Sequence, residues 1–212
     1  MTLPSENITE FRKRINRYAA RFKSPKPEIT VDCLLEPRDL STDMPAALAY
    51  LEPYGAENPP PVFGLFGVTL EQITPVGGGK HLRLTVSKEG ARVQCMRFGC
   101  APERFGYRPG DKLDVVVTLE NREYQGNEYL SVCVKELRPG GMDTGNLLSH
   151  VALYERARRG EKLSQAQYEL LRPSREDFAL LYRFLVREKG FSGPLEVLAA
   201  RLGGLPLCRA LL

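Results

Sequence analysis

The sequence is short of the residues that hold metals and cross-links. It has two histidines, His81 and His150, and five cysteines (Cys33, Cys95, Cys100, Cys133 and Cys208) scattered without a CxxC pair. That spacing suggests neither a zinc site nor a disulfide framework, and the thiols are expected to be reduced and mostly in cores. No run approaches the ~20 apolar residues needed to span a bilayer, and the N-terminus lacks the apolar core of a secretory signal, so a cytoplasmic location is expected. The stretch Gly77 to His81 reads GGGKH, without the second glycine at phosphate-loop spacing or a Ser or Thr after the lysine. It also opens a strand instead of a helix, which excludes a nucleotide-binding loop and leaves at most a hairpin touching a phosphate. His81 has no metal-binding motif beside it and reads as a surface or hydrogen-bonded histidine.

What is present is the composition of a folded protein, 42% apolar and 26% charged over 212 residues, enough for one large or two small domains. The net charge of +4 is unevenly spread: about +5 over residues 1–27, −6 over 28–61, +2 over 62–138 and +4 over 146–212. Two mildly basic domains allow nucleic-acid contact without requiring it.

Ile8, Phe11, Ile15, Tyr18 and Phe22 recur at helical spacing, and Asn7 with Glu10 has the form of a capping box. The opposite face carries Arg12, Lys13, Arg14, Arg17 and Arg21, read as a solvated helix face, and Pro25 and Pro27 end the helix. A β-rich start to the run Ile29 to Leu35 and a short helix from about Thr42 to Leu51 follow. Three consecutive prolines, Pro59 to Pro61, mark a linker at residues 53–61.

From Val62 to Arg138 the pattern becomes strands: Val62 to Val76, His81 to Ser87, Arg92 to Phe98, Lys112 to Leu119 and Tyr129 to Leu137. Gly77-Gly78-Gly79, Glu89-Gly90 and Gly126-Asn127 supply hairpin turns, and an insertion, Ala101 to Gly110, separates the third strand from the fourth. A long glycine-broken first strand and that insertion describe a five-stranded oligonucleotide-binding (OB) barrel; an SH3-like barrel and a sandwich fragment stay open. After a linker at 139–145, helices are expected at Leu147 to Arg158, Ser164 to Leu171, Arg175 to Glu188, Pro194 to Leu202, and an end at Leu205 to Leu212. Ser174 caps the third, with Phe178, Leu181, Tyr182 and Leu185 as its buried stripe. The fold class is therefore α+β multidomain: a partial α/β segment (1–52), an OB-fold β-barrel (62–138) and a small helical domain (146–212), whose last helices look like the start of a longer bundle.

Three stretches carry a resemblance. NITEFRKRINRYA at Asn7 to Ala19 resembles the helix near the end of the DHH-associated domain of RecJ exonucleases. LEPYGAENPPPVFGLFGV at Leu51 to Val68 is similar to the segment by which those enzymes enter their OB barrel. GKHLRLTV at Gly79 to Val86, RFG at Arg97 to Gly99 and YRPGD at Tyr107 to Asp111 resemble the barrel itself. The resemblance implies a C-terminal fragment of a bacterial enzyme that degrades single-stranded DNA from the 5′ end in repair and recombination, with residues 1–52 a remnant of the DHH-associated domain. It also implies two divalent ions, Mn2+ or Mg2+, held by DHH-type motifs. None of those motifs occurs in this sequence, so it is expected to be catalytically silent, with no cofactor of its own.

An OB barrel holds single strands on a basic groove with aromatic or arginine faces for the bases. In the second strand Leu82, Leu84 and Val86 should fill the barrel, leaving His81 and Arg83 outside with Lys80 at the strand's mouth. The third strand's orientation is ambiguous, Arg97 sharing a face with Cys95 and Phe98 one with Met96. Arg122, Tyr124 and Tyr129 form a second cluster around a hairpin. Singly, exposed Arg and Tyr merely keep a β surface wetted and cover an edge; as two clusters, these eight residues point to single-stranded DNA. The alternative is a protein-docking module for a replication or repair partner, to which the Leu- and Ala-rich helical tail is equally suited. An unrelated OB protein such as a tRNA-binding module would make the three matching stretches coincidental.

Overall fold

The computed structural model describes residues 4–19, 28–124, 126–206 and 209. They fall into two compact units, divided between Thr30 and Val31. In the first, a 3-10 turn at Ser5–Asn7 leads into helix α1, Ile8–Ala19. Asn7 thus closes a turn, its N–H bonded to the carbonyl of Pro4, so the expected capping box is replaced. Among its described residues α1 buries none. Arg21, Phe22, Pro25 and Pro27 lie outside the described residues.

The second unit is built on six strands: β1 (Cys33–Leu34), β2 (Phe63–Val76), β3 (His81–Lys88), β4 (Ala91–Arg97), β5 (Lys112–Tyr124) and β6 (Asn127–Pro139). Their order, β1-β2-β3-β4-β6-β5 with β5 returning to β2, closes β2 to β6 into a barrel. Three features select an OB barrel over an SH3-like barrel or a sandwich: the parallel β4–β6 pair, the short helix α3 (Pro102–Phe105) inside the insertion, and a first strand shared between two neighbours. β1 sits at the end of its apolar run instead of the start, because only Cys33 and Leu34 meet Phe63 and Gly64 in parallel register. The helix expected near Thr42 is α2, Met44–Leu48, running into a 3-10 turn at Ala49–Leu51.

The barrel interior follows strand alternation. Leu65, Val68, Leu70, Leu82, Leu84, Val86, Cys95, Leu113, Val115, Val117, Val132 and Val134 form one buried cluster. Alternation through β2 survives only because a bulge between Leu65 and Val68 inserts a residue, with Gly67 at φ +69°. The Asp114 carboxylate fixes that bulge, accepting the Gly67 N–H (3.0 Å) and pairing with Arg138 (3.1 Å), whose guanidinium lies over the Phe66 ring. On the other side Lys88 donates to the Phe66 carbonyl (3.0 Å) and pairs with Glu36 (2.8 Å), tying the segment before the barrel to the same bend. Burial in this interior pushes the Cys95 thiol up to about 12.

Beyond the barrel come α4 (Thr144–Arg158), α5 (Gln165–Leu171), α6 (Arg175–Glu188) and α7 (Leu195–Arg201). α4 begins earlier than its apolar pattern because the Asp143 side chain caps it through the Asn146 N–H. Ser164 with Gln167 and Ser174 with Asp177 form capping boxes at α5 and α6. The expected stripe on α6 needs correction: Phe178 and Tyr182 are 58% and 70% exposed. The helix instead turns Phe184, with Leu181 and Leu185, onto Leu198 of α7 and Leu202 just after it. Apolar residues surround α6 on more than one side, and the position of α7 decides which side is covered.

α7 docks on the barrel. Val197 joins the barrel core, Arg201 pairs with Asp111 at 2.8 Å, and Arg108 pairs with Glu188 at 2.8 Å. The insertion and the tail touch backbone to backbone, since a Cβ on Gly106 would stand 2.9 Å from the Gly193 Cα. Of the expected end at Leu205 to Leu212, only Leu205, Pro206 and Arg209 are described; Cys208 is outside that set.

The Asp114 contacts generate a prediction. Asp114→Ala leaves the Gly67 N–H without its acceptor and removes the carboxylate from the Arg138 ion pair, at a cost of about 2 to 3 kcal/mol in urea unfolding; an unchanged midpoint would show that the bulge does not depend on this carboxylate.

Candidate nucleic-acid interface

Because Leu82, Leu84 and Val86 face the core, the residues between them form the outer face of the barrel wall. The tight hairpin at Glu89 and Gly90, both at positive φ, sets the register of β3 against β4. One cross-strand row therefore runs from Thr74 through Arg83 and Met96 to Cys133 and Thr118. The next row holds Gln72, Thr85 and Gln94. On the opposite side of the Arg83 row lie His81 and Phe98, while the cross-strand pair Tyr129 and Arg122 stands past the Gln94 row, from where the Arg122 side chain reaches back to Phe98.

Phe98 is the centre of this end. It is 44% exposed, the His81 ring meets it edge-on at 5.2 Å, and the Arg122 guanidinium lies over it at 5.6 Å. His81 is oriented from behind: its Nδ1 accepts the Gly99 N–H at 3.0 Å, which leaves any ring proton on Nε2. Arg122 is held by Glu120 at 3.0 Å, and that hydrogen bond raises the guanidinium's proton affinity further. An arginine stacked on a ring offers its second planar face to another flat group, and Tyr129 adds an exposed ring beside it. The arrangement can stack flat aromatic ligands while placing positive charge next to them.

Of the eight residues expected from sequence, the structure gathers His81, Phe98 and Arg122 around one ring, with Arg83 one row away and Tyr129 opposite Arg122 on the neighbouring strand. Arg83 and Lys80 are exposed, and neither makes an ion pair among the described residues. Lys80 sits on the Gly77–Gly79 turn. Arg97 goes elsewhere: it shares the inward parity of Cys95, its guanidinium donates to the carbonyls of Val134 and Lys135, and it lies 3.6 Å from Glu136. It closes the β4–β6 seam. Tyr124 pairs with Asn127 through the backbone, and its side chain lies outside what is described.

Sequence reading missed Met96, Gln94, Thr85 and Gln72 as part of the face. Gln72, Thr85 and Gln94, with Glu71, Arg92 and Val93, line an open groove of about 560 Å3. The signal was available, because a two-residue hairpin fixes which β4 residue stands beside Arg83 and so resolves the ambiguous parity. Among the described residues, no group of three His, Cys, Asp or Glu is placed to hold a metal ion.

Known proteins resemble this chain in sequence and in fold. The model of the RecJ OB domain family matches residues 31–136, half of the chain. Single-stranded-DNA-specific exonuclease RecJ of Bacillus subtilis (strain 168) is 25% identical over 142 residues, 64% of this chain and 18% of the relative. The enzyme of the same name from Thermus thermophilus is 39% identical over 89 residues, 42% of this chain and 13% of the relative. The crystal structure of the Thermus thermophilus RecJ in complex with Mn2+ superposes with a TM-score of 0.51 at 28% identity, covering 72% of this chain and 24% of that one. The chain thus matches under a fifth of the length of these curated relatives.

The two arginines of the β3–β4 hairpin separate by a stability measurement. Arg97→Ala loses the seam contacts and lowers stability by about 1 to 2 kcal/mol, whereas Arg83→Ala stays within about 0.5 kcal/mol of wild type in the same urea titration. Equal effects would contradict the assignment of Arg97 to the seam.

Proposed function

Since the chain belongs to the RecJ OB domain family, we propose that its barrel grips single-stranded DNA for a RecJ-like 5′-to-3′ single-strand-specific exonuclease of DNA repair and recombination. The observation that carries this is the Phe98 platform, edged by His81 and covered by Arg122, on the same face as Arg83. Stacking on an aromatic ring or guanidinium tolerates any base, because every base has a π-face. Lys80, Arg83 and Arg122 supply charge for the phosphates, and the Gln72, Thr85 and Gln94 groove offers amides and a hydroxyl along the continuation of the strand. The hydrolytic step requires metal ligands of the DHH type, Mn2+ or Mg2+ bound outside this sequence, so the role of this chain is affinity and positioning. A cytoplasmic bacterial setting suits that role.

A second reading concerns the helical tail. Phe178, Tyr182 and Val186, spaced four residues apart on α6, are all exposed, which supports docking of a replication or repair protein there. The two readings concern different surfaces and are compatible.

Fluorescence anisotropy with a labelled oligo-dT at several salt concentrations tests the DNA reading. Three phosphate contacts predict a slope of log affinity against log salt of about −2. Arg83→Ala makes that slope shallower by about 0.7, while Phe98→Ala weakens binding by about 1 to 3 kcal/mol with little change in slope. Absence of binding at low salt would overturn the proposal.

A further inference from the structure

A groove lies between α2 and the barrel, bounded by Pro45, Ala46 and Ala49 on one side and by Thr118, Glu120 and Asn121 of β5 on the other, with a volume of about 480 Å3. That is within the ~300 to 1,000 Å3 of small-ligand sites. Its walls are fixed: Leu48 packs on the barrel core, the Tyr54 hydroxyl donates to the Leu48 carbonyl at 2.8 Å, and the Asn58 amide donates to the Leu51 carbonyl at 2.8 Å.

Thr118 is 5% exposed, and its hydroxyl is buried without a hydrogen-bond partner among the described residues. A buried hydroxyl left unpaired is costly, and native structures leave few without a reason. Glu120 joins this groove to the stacking platform, because the carboxylate on the groove wall is the one that holds Arg122. A strand lying over Phe98 and Arg122 therefore reaches the groove within one or two residues of β5.

We infer that this groove takes one base of the bound single strand, its flat faces against the Pro45, Ala46 and Ala49 wall and its polar edge against the Thr118 hydroxyl. This rests on the reading of the barrel as a single-strand binder. A hydroxyl can donate or accept, so Thr118 pairs with the edge of any base and imposes no sequence preference. The walls carry no cluster of cations that would favour a phosphate in its place, since Lys135 is opposed by Glu52 and Glu120.

The test uses the full chain with labelled oligo-dT and two variants, Thr118→Val, which exchanges the hydroxyl for a methyl of the same shape, and Ala46→Phe, which fills the groove from an exposed position. The expected result is a 3- to 10-fold loss of affinity in Thr118→Val with an unfolding midpoint no lower than wild type, and at least as large a loss in Ala46→Phe. Wild-type affinity in both variants, with Phe98→Ala still weakened, overturns the base pocket and leaves the platform standing. A lowered midpoint in Thr118→Val also overturns it, since the hydroxyl then has an internal partner. If the wild-type chain does not bind oligo-dT, both this inference and the reading beneath it fall.

Discussion

The barrel depends on one strand serving two neighbours. β2 pairs with β5 along its first half and with β3 along its second, and no straight strand can do both around a small closed sheet. The bend at Gly67 resolves this, and side chains take up two of its backbone polar groups: Asp114 accepts the Gly67 N–H and Lys88 donates to the Phe66 carbonyl. Asp114 in turn holds Arg138, and Lys88 holds Glu36. The last strand and the segment before the barrel are thus anchored at the same bend, and the segment beginning at Val31 packs as part of the barrel unit.

Closure of the sheet produces the face. With β2 bent, β3 and β4 stand between it and β6, and Arg97 ties β4 to β6 by bridging to the carbonyls of Val134 and Lys135. The same turn of the chain that sends Arg97 into the seam sends Phe98 outward, where His81 and Arg122 converge on it. The proposed grip on a single strand combines that stacking with a few exposed cations. Such a design gives modest affinity without sequence preference, and it suits a module whose task is to hold a strand for chemistry done elsewhere.

Much of this was legible in the residues. Alternation in His81 to Val86 separates core from surface, the Glu89-Gly90 and Gly77-Gly78-Gly79 turns mark hairpins, and Ser174 with Asp177 marks the start of α6. Strand ends were less so: β5 runs on past Leu119 to Tyr124 and β6 begins at Asn127, ahead of Tyr129, through mostly polar positions that a burial-based pattern cannot include. The destiny of Arg97 was hidden because it depends on carbonyls some 37 residues away. The exposed side of α6 was misjudged because apolar periodicity does not say which of two apolar sides meets α7. The α2 groove had no sequence signal, since it exists only where α2 settles on β5.

The central claim, that the outer face around Phe98 carries the single strand, is tested most directly by mapping amide shifts in a 1H–15N spectrum during titration with oligo-dT. The account predicts the largest changes at His81, Arg83, Met96, Phe98, Arg122 and Tyr129, with little change along α4 to α7. Changes concentrated on the helical tail, with the Phe98 region silent, would contradict it.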